Sequence, residues 1–299
     1  MNQQCWCGRD DLHAWNTEYT MCRSCGTLID NTSEYNAAYV ENFCNPLYDQ
    51  DYWYKKMLQE YQKIGCKNFD DVILYHFRER AAYWMHYLLK HLLPPATVIE
   101  IGCGVGTFAY WLRQLGFDVT ATELNPAWRS FVRKKLAIEV SDYQLSSSPE
   151  NCARYDAVFM MDVFEHLANP LDMTAALCNE LKEDGIIMLQ MPQVPDDAEY
   201  SRLLEQKASF LRYLLPGEHV RLYTVLAARR LMMRAGFRYM LFYPSIFHDD
   251  MFFIASRRPL KYYDDDMIRQ TVLANPHAVA AYAALENFRR LVAQTQKNA

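Results

Sequence analysis

The sequence lacks three features that would link the protein to a membrane, to secretion or to nucleic acid. No uninterrupted apolar run approaches the about 18 residues of a membrane-spanning helix. The first residues, MNQQCWCGRDD, contain neither the cationic start nor the apolar stretch of a secretory signal. The formal net charge of −5 provides no basic surface for nucleic acid. We therefore expect a cytoplasmic protein with no membrane partner, and the charge disfavours a nucleic-acid partner.

A disulfide framework is also not expected. The chain has an odd number of cysteines, nine in 299 residues, and no secretory signal precedes them. Half of the residues are hydrophobic, so a chain of this length can bury the core of one large domain or two modest ones.

Four cysteines near the N-terminus form two close pairs. They are Cys5, Cys7, Cys22 and Cys25. A glycine follows each pair and can take the positive φ that a tight turn requires. Four thiolates around a tetrahedral Zn²⁺ would hold together a segment too small for its own core, with no open position for water. We predict a structural zinc; reduced surface cysteines and a redox role for Cys22 and Cys25 are the alternatives.

Aromatic residues crowd the stretch 35–93, which ends before Pro94, where a helix must stop. Apolar residues recur at helical spacing in ILYHFRERAAYWMHYLLKHLL. Most of these side chains are expected to pack in a core or a helical lid. Tyr48, Tyr52 and Tyr54 are candidates for contact with a substrate, because tyrosine combines an apolar ring with a polar tip.

The stretch ATVIEIGCGVGTFAYWLRQLGF predicts a strand, a glycine-rich turn and a helix closed by Gly116. Glycines occupy alternate positions of the turn, at Gly102, Gly104 and Gly106. They let the backbone approach a ligand closely, and the helix N-terminus offers free N–H groups. The next strand, DVTATEL, ends in Glu123, whose carboxylate is placed to accept hydrogen bonds from ribose hydroxyls.

Helices and strands continue to alternate after this point. PAWRSFVRKKL predicts a helix, a short third strand ends at Asp142, and YDAVFMMDVFEHL is a fourth strand with its exit loop. LCNELKEDGIIMLQMP supplies a helix, a turn and a fifth strand, and TVLAARRLMMRAGF a further helix before two antiparallel strands. The order βαβαβ predicts a parallel, doubly wound α/β sheet.

These motifs carry a resemblance to a known family. VIEIGCGVGTF, ATELNP, SDY, YDAVFMMDVFEHLANP and LKEDGIIMLQMP resemble successive motifs of class I S-adenosylmethionine (SAM)-dependent methyltransferases, over residues 95–258. The pattern is most similar to the branch that methylates sugars and small molecules. The four-cysteine segment followed by an aromatic helical stretch also resembles sugar C-methyltransferases of deoxysugar pathways. Since the sequence printed here stops soon after the methyltransferase motifs, we do not expect their large C-terminal domain, and this departure weakens the case for a nucleotide-sugar substrate.

The resemblance implies a Rossmann-like methyltransferase fold with a mostly parallel seven-stranded sheet. It also implies that Glu100 orients the methionine end of SAM and that the three glycines pack beneath it. Glu123 would hold the ribose, Leu124 would contact the adenine, and Asp142 would accept from its amino group.

Tyr143 and Asp162 complete the implied set of SAM-binding residues. A dinucleotide site is disfavoured, because the G-x-G-x-x-G fingerprint requires a third glycine at an offset that this sequence does not provide.

Asp162, Glu165 and His166 follow the fourth strand, at the edge where open α/β sheets bind ligands. One interpretation is local: Asp162 caps the next turn and the other two form nearby hydrogen bonds. A second is catalytic: His166, His219 or both act on the acceptor's proton during in-line methyl transfer, and Glu165 is a further catalytic candidate. A third is a divalent metal, because Asp-x-x-Glu-His resembles the E-x-x-E-H of ubiquinone-pathway O-methyltransferases and small-RNA 2′-O-methyltransferases.

We therefore predict an enzyme that transfers methyl from SAM to a hydroxyl or activated carbon of a sugar or other small metabolite, with a structural Zn²⁺. The alternatives are a metal-assisted 2′-O-methyltransferase acting on RNA and a non-catalytic SAM-binding scaffold. The expected domains are a zinc-binding segment (1–34), an aromatic helical lid or substrate region (35–93), a SAM-binding domain (94–258) and a helical tail (259–299). The last helix docks on its own domain or forms a homodimer.

Overall fold

The computed structural model describes residues 5–31, 80–142, 153–196 and 199–297, together with short pieces between 59 and 72. The candidate substrate residues Tyr48, Tyr52 and Tyr54 and the candidate SAM-binding residue Tyr143 lie outside the described residues. Within the described part of the chain, no helix is both long and apolar enough to cross a bilayer.

The strands are short near the N-terminus and longer in the centre of the chain. In chain order they are β1 (Leu12–Ala14), β2 (Tyr19–Cys22), β3 (Leu28–Asp30), β4 (Thr97–Ile101), β5 (Asp118–Thr122), β6 (Val140–Ser141), β7 (Tyr155–Met161), β8 (Leu181–Pro192), β9 (Arg221–Leu222), β10 (Tyr239–Tyr243) and β11 (Asp250–Ser256).

The α-helices follow the strands in the predicted alternation. They are α1 (Ala82–Leu88), α2 (Thr107–Leu115), α3 (Pro126–Phe131), α4 (Pro170–Glu180), α5 (Tyr200–Glu205), α6 (Val225–Arg234), α7 (Asp265–Leu273) and α8 (Val279–Lys297). A π-helical turn, Val132–Leu136, continues α3, and short 3₁₀ helices span Phe164–His166, Ser209–Tyr213 and Pro276–Ala278.

The strands form two sheets. The larger has the order β10-β11-β8-β7-β4-β5-β6 and the smaller the order β1-β2-β3-β9. β5 is parallel to both β4 and β6, whereas β11 is antiparallel to both β8 and β10. The predicted α/β fold with a mostly parallel seven-stranded sheet is confirmed.

Packing divides the chain into two compact units. The first comprises Met1–Asn42, Leu145–Arg154 and Met160–Pro259, and the second comprises Phe43–Gln144, Tyr155–Phe159 and Leu260–Ala299. The first unit therefore contains the smaller sheet with β8, β10 and β11, and the second contains β4, β5, β6 and the C-terminal helix.

In the second unit, α2 lies between two glycines with left-handed backbone, Gly106 and Gly116. Its Phe108 ring packs edge-on against Trp84 and Phe159, with centroids 5.3 and 5.1 Å away. These contacts fix the start of α2, because Phe108 is the second residue of the helix. The turn after β4 is thus supported by a buried aromatic core.

The C-terminal helix α8 docks on α1 of its own unit. The Arg289 Nε donates a hydrogen bond to His86 Nδ1 at 2.9 Å. The Phe288 ring lies edge-on to Tyr83, with centroids 6.2 Å apart. This helix therefore has a partner within its own chain, and the homodimer stays a prediction.

In the first unit, residues 5–31 form the cysteine segment, whose three strands are antiparallel. β3 continues this sheet onto β9, with Leu28 opposite Leu222. Trp15, Tyr19 and Phe210 belong to one buried apolar cluster, which also contains Leu28 and Leu222. The cysteine segment is thus packed against distant parts of its own unit.

One element differs from the prediction. The turn expected between α4 and the fifth strand is absent, since β8 begins at Leu181 directly after Glu180. Leu181 already has extended backbone, with φ −81° and ψ 135°. Gly185 still marks a close approach, because a Cβ there would lie 2.9 Å from the carbonyl oxygen of Lys182.

Candidate functional site

The glycine turn after β4 presents open backbone on one side and close packing on the other. The Cys103 N–H donates to the Thr122 carbonyl at 2.9 Å, which ties the turn to the end of β5. A Cβ added at Gly104 would meet no atom within 4 Å, whereas one at Gly106 would lie 2.9 Å from Leu136 Cδ1. Gly104 therefore leaves room for a ligand, and Gly106 lets α2 approach the π-helical turn.

Glu123 at the end of β5 is buried and fixed by backbone donors on both sides. Its Oε2 accepts from Gly104 N–H and its Oε1 from Asn125 N–H, each at 2.8 Å. Burial raises the pKa of Glu123, and backbone hydrogen bonds from Asn125, Gly104 and Leu124 oppose that rise. Each carboxylate oxygen keeps acceptor capacity beyond one hydrogen bond, so a diol can still bind.

Arg129 connects three predicted cofactor residues and was missed by the sequence analysis. Its Nη1 donates to the carbonyl oxygens of Glu123 and Leu124, at 2.7 and 2.6 Å. Its Nη2 lies 3.5 Å from Asp142 Oδ2, whose side chain is 74% exposed. Leu124 is 37% exposed beside them, which provides an apolar surface for a flat ring. Arg129 lies in α3, one turn after Asn125. That position is the only feature of the sequence that could have indicated its contacts with Glu123, Leu124 and Asp142.

Glu100 in β4 is the second buried carboxyl group of this unit. Its Oε2 accepts from Ala109 N–H in α2 at 2.9 Å. Burial raises the pKa of Glu100 to about 8, and the negative charge of Glu123 adds to this effect. A group with this pKa is mostly protonated at neutral pH and would ionise beside a bound cation.

The first unit contains a different cluster, which follows β7. Asp162 has left-handed backbone, φ 57°, and its Oδ1 accepts from Gln190 Nε2 at 3.0 Å. Left-handed backbone is uncommon outside glycine and concentrates at functional sites. Gln190 was also missed, because one glutamine in an apolar strand has no motif around it.

His166 and His219 lie together, with ring centroids 5.0 Å apart. Nδ1 of His166 is 2.7 Å from the Glu218 carbonyl oxygen, and Nδ1 of His219 is 2.7 Å from the Tyr213 carbonyl oxygen. A carbonyl oxygen only accepts, so each Nδ1 carries the proton. Each neutral ring therefore has a lone pair on Nε2.

Glu165 completes this cluster. Its side chain is 2% exposed, and its Oε1 lies 3.9 Å from His166 Nε2. Burial raises the pKa of Glu165, with a further contribution from Asp162, whereas burial lowers the pKa of His166. Burial also lowers the pKa of His219, to about 4. The cluster is therefore rich in lone pairs and poor in positive charge at neutral pH.

This cluster can act on a proton or hold a cation. One ligand atom from each of Glu165, His166 and His219 lies within 4.8 Å of the others. Imidazole and carboxylate are common ligands of divalent metals, and three protein ligands leave open positions for a substrate. Hydrogen bonds from Nδ1 to carbonyls are also the usual orienting contacts of metal-bound histidine.

The four N-terminal cysteines also converge. Sγ of Cys5 is 3.6 Å from Sγ of Cys25, and Sγ of Cys7 is 3.6 Å from Sγ of Cys22. All four sulfurs lie within 4.8 Å of one another. Zn–S bonds of about 2.3 Å in a tetrahedron place sulfurs about 3.8 Å apart, so the donor set fits a zinc ion. The hydrogen bond from Cys5 lowers the pKa of Cys25 to about 5, which favours a thiolate.

A family model described as a methyltransferase domain matches residues 74–241 of this chain. The chain is 33% identical over 104 residues to the ubiquinone biosynthesis O-methyltransferase of Xanthomonas campestris pv. campestris, covering 32% of this chain and 43% of that protein. It is 29% identical over 129 residues to the protein of the same name from Cereibacter sphaeroides, covering 41% and 51%. The matched part thus spans about half or less of these relatives.

Among solved structures, the chain resembles a magnesium protoporphyrin IX methyltransferase from Synechocystis PCC 6803 with bound SAH. That similarity has a TM-score of 0.45 at 18% identity, and it covers 72% of this chain and 100% of the other.

Proposed function

Because this chain belongs to the methyltransferase-domain family, we propose that it transfers the methyl group of SAM to a small-molecule acceptor. The acceptor group is a hydroxyl or an activated carbon, and a hydroxyl is the one that the histidine cluster supports best. The relatives named ubiquinone biosynthesis O-methyltransferase support the same kind of acceptor. A sugar remains one of the candidate acceptors.

One observation carries the proposal. The imidazoles of buried His219 and half-buried His166 each donate from Nδ1 to a backbone carbonyl and so keep a lone pair on Nε2. A hydroxyl oxygen becomes a better nucleophile as its proton leaves, and a positioned imidazole is the commonest proton acceptor for such a step. We assign that role to His219 and His166. Glu165 Oε1 lies 3.9 Å from His166 Nε2, and a positive charge on that ring would favour the carboxylate form of Glu165.

The second unit would bind SAM, which supplies an electrophilic methyl carbon on a sulfonium. Glu123 would accept from the ribose hydroxyls, Leu124 would contact the adenine, and Asp142 would accept from the adenine amino group. Glu100 would bind the ammonium at the methionine end, next to the open backbone at Gly104. In the first unit, an imidazole Nε2 would accept the proton that the acceptor hydroxyl gives up when it takes the methyl group.

The test is a screen of purified protein with methyl-labelled SAM against phenols, catechols and free sugars, read by mass spectrometry. We expect a product that carries the labelled methyl on oxygen. If the protein binds SAM but methylates no acceptor in the screen, the result favours the alternative of a non-catalytic SAM-binding scaffold over an enzyme.

A second candidate is metal-assisted transfer, on a small molecule or on RNA, favoured by the convergence of three ligand atoms from Glu165, His166 and His219. The two mechanisms differ in their response to chelation. Direct proton transfer predicts turnover that survives EDTA. Loss of turnover that Mg²⁺ or Mn²⁺ restores would assign the cluster to a metal, provided that the N-terminal cysteines keep their own ion throughout.

We also propose that the cysteine segment binds one structural Zn²⁺. The separations of its four sulfurs support this, as does the glycine after each pair. Four thiolates leave no position for a substrate, so this ion would stabilise the segment and take no part in methyl transfer.

A further inference from the structure

The cysteine segment contacts the stretch of chain that orients both histidines. This stretch, residues 213–220, is named here the histidine loop. It carries His219 itself and the two carbonyls, of Tyr213 and Glu218, that fix Nδ1 of His219 and of His166. The loop thus determines the orientation of both rings, although it carries only one of them.

Three hydrogen bonds join the cysteine segment to this loop on either side of His219. The Tyr19 hydroxyl donates to the His219 carbonyl at 3.1 Å. The Asp30 Oδ2 accepts from Gly217 N–H at 2.8 Å, and the Asp30 N–H donates to the Val220 carbonyl at 3.0 Å. Residues 217, 219 and 220 are therefore held by two side chains and one backbone group of the segment.

The side chains of Tyr19 and Asp30 are both held rigidly enough to fix the position of the histidine loop. Tyr19 is fully buried in the apolar cluster with Trp15 and Phe210, so its hydroxyl has little freedom to move. Asp30 is also buried, and strand pairing of β3 with β9 fixes its backbone next to the loop. Hydrogen bonds from rigid elements fix a catalytic group better than contacts from mobile loops do.

We propose that Tyr19 and Asp30 are positioning residues for His219 and His166, so that the cysteine segment sets the geometry of the histidine pair. This inference rests on the proposed function of that pair. Without the Tyr19 hydroxyl, the His219 carbonyl loses a buried donor, and the loop shifts toward a new partner. A shift of about 1 Å at a catalytic group can slow a reaction 100-fold, so even a small displacement matters.

The first test needs no acceptor. Nitrogen-15 NMR of the full-length protein reports which ring nitrogen of each histidine carries the proton. We expect His166 and His219 to be protonated on Nδ1 in the wild type and to become mixed tautomers in Tyr19→Phe. Tyr200→Phe is the matched control, because Tyr200 packs against Trp15 with centroids 4.9 Å apart but makes no hydrogen bond to the loop among the described contacts.

A second pair of variants separates positioning from folding. Asp30→Ala removes the acceptor of Gly217 N–H, whereas Asp30→Asn keeps an oxygen there. We expect Asp30→Ala to mix the tautomers and Asp30→Asn to restore the wild-type spectrum. Unchanged tautomers in both Tyr19→Phe and Asp30→Ala would overturn the proposal.

With an acceptor from the screen, kinetics separate this inference from the proposed function. We expect Tyr19→Phe to lower kcat about tenfold, with the KM for the acceptor and the SAM affinity unchanged within about twofold. If His219→Ala slows turnover but Tyr19→Phe behaves like Tyr200→Phe, the positioning role is wrong and the proposed function stands. If neither His219→Ala nor His166→Ala slows turnover, the proposed proton-accepting role of the histidine pair fails, and the positioning role of Tyr19 fails with it.

Discussion

His166 and His219 lie with ring centroids 5.0 Å apart, although 52 positions separate His166 from the Glu218 carbonyl that orients it. Neither ring is oriented by a side chain in this contact, since both Nδ1 atoms meet backbone oxygen. The backbone carbonyls therefore fix which nitrogen of each ring carries the proton, and they leave a lone pair on each Nε2.

Replacing His219 by Ala should slow methyl transfer by about 10²- to 10⁴-fold, because a positioned general base contributes that much. SAM affinity should not change, which calorimetric titration would check. His248→Ala is the control, since the His248 side chain is 90% exposed. Full activity in both His219→Ala and His166→Ala would assign the pair a structural role.

The pH profile provides a further check on the same residue. Burial lowers the pKa of His219 to about 4, so its neutral form persists well below the usual imidazole range. Activity that depends on neutral His219 should stay level around neutral pH and fall only as the pH drops toward 4. An activity limb centred near 6.5 that His219→Ala removes would contradict this.

Replacing Glu123 by Ala should weaken SAM binding about 10- to 100-fold, because a hydrogen bond to a charged group contributes about 1.5–3 kcal/mol. Its two backbone partners, Gly104 N–H and Asn125 N–H, would also lose their acceptor. Glu139→Ala, at an exposed position of the same unit, should bind SAM normally. Equal SAM affinity in both variants would refute the ribose assignment.

SAM binding should release a proton from Glu100. The pKa of Glu100 is raised to about 8 in the ligand-free protein, so the group is mostly protonated at pH 7. A bound ammonium favours the carboxylate and lowers this pKa, so the proton leaves on binding, and SAM affinity rises with pH up to about 8.

Calorimetry in buffers with different ionisation enthalpies measures that proton directly. The wild-type heat of binding at pH 7 should depend on the buffer, and that of Glu100→Gln should not. A buffer-independent heat in the wild type would show that Glu100 does not change its protonation state when SAM binds.

Elemental analysis of protein purified without added metal should find about one zinc per chain, because four thiolates bind Zn²⁺ tightly. Cys22→Ser should release the ion and lower solubility. Cys178→Ser is the matched control, since Cys178 lies outside the cluster and its thiol donates to the Ala235 carbonyl, as a serine hydroxyl also can. Wild-type protein that is folded and zinc-free would end the proposal.

The sequence predicted the features that local pattern encodes. Gly102, Gly104 and Gly106 mark a turn because backbone with positive φ needs glycine, and all three have it. The end of β5 was predicted to carry Glu123 because apolar alternation stops there. Such features depend on a few neighbouring residues, so their identities are sufficient.

The sequence could not predict contacts made by backbone carbonyl groups, because every residue has one. The Glu218 and Tyr213 carbonyls orient the two histidines through backbone atoms, which residue identity does not encode. The roles of Tyr19 and Arg129 depend on what lies near them after folding, and a tyrosine or arginine is common enough to carry no signal by itself. Only tertiary structure brings these partners together.

The hydrogen bond from Tyr19 to His219 joins residues 200 positions apart, and this distance along the chain affects how the protein is made. During synthesis, the cysteine segment leaves the ribosome long before β9 exists, so its sheet has an unpaired edge at β3 for most of translation. Contacts of such long range form slowly, because a large loop must close first. The cysteine segment, which is synthesised long before β9, therefore completes its sheet only late in folding.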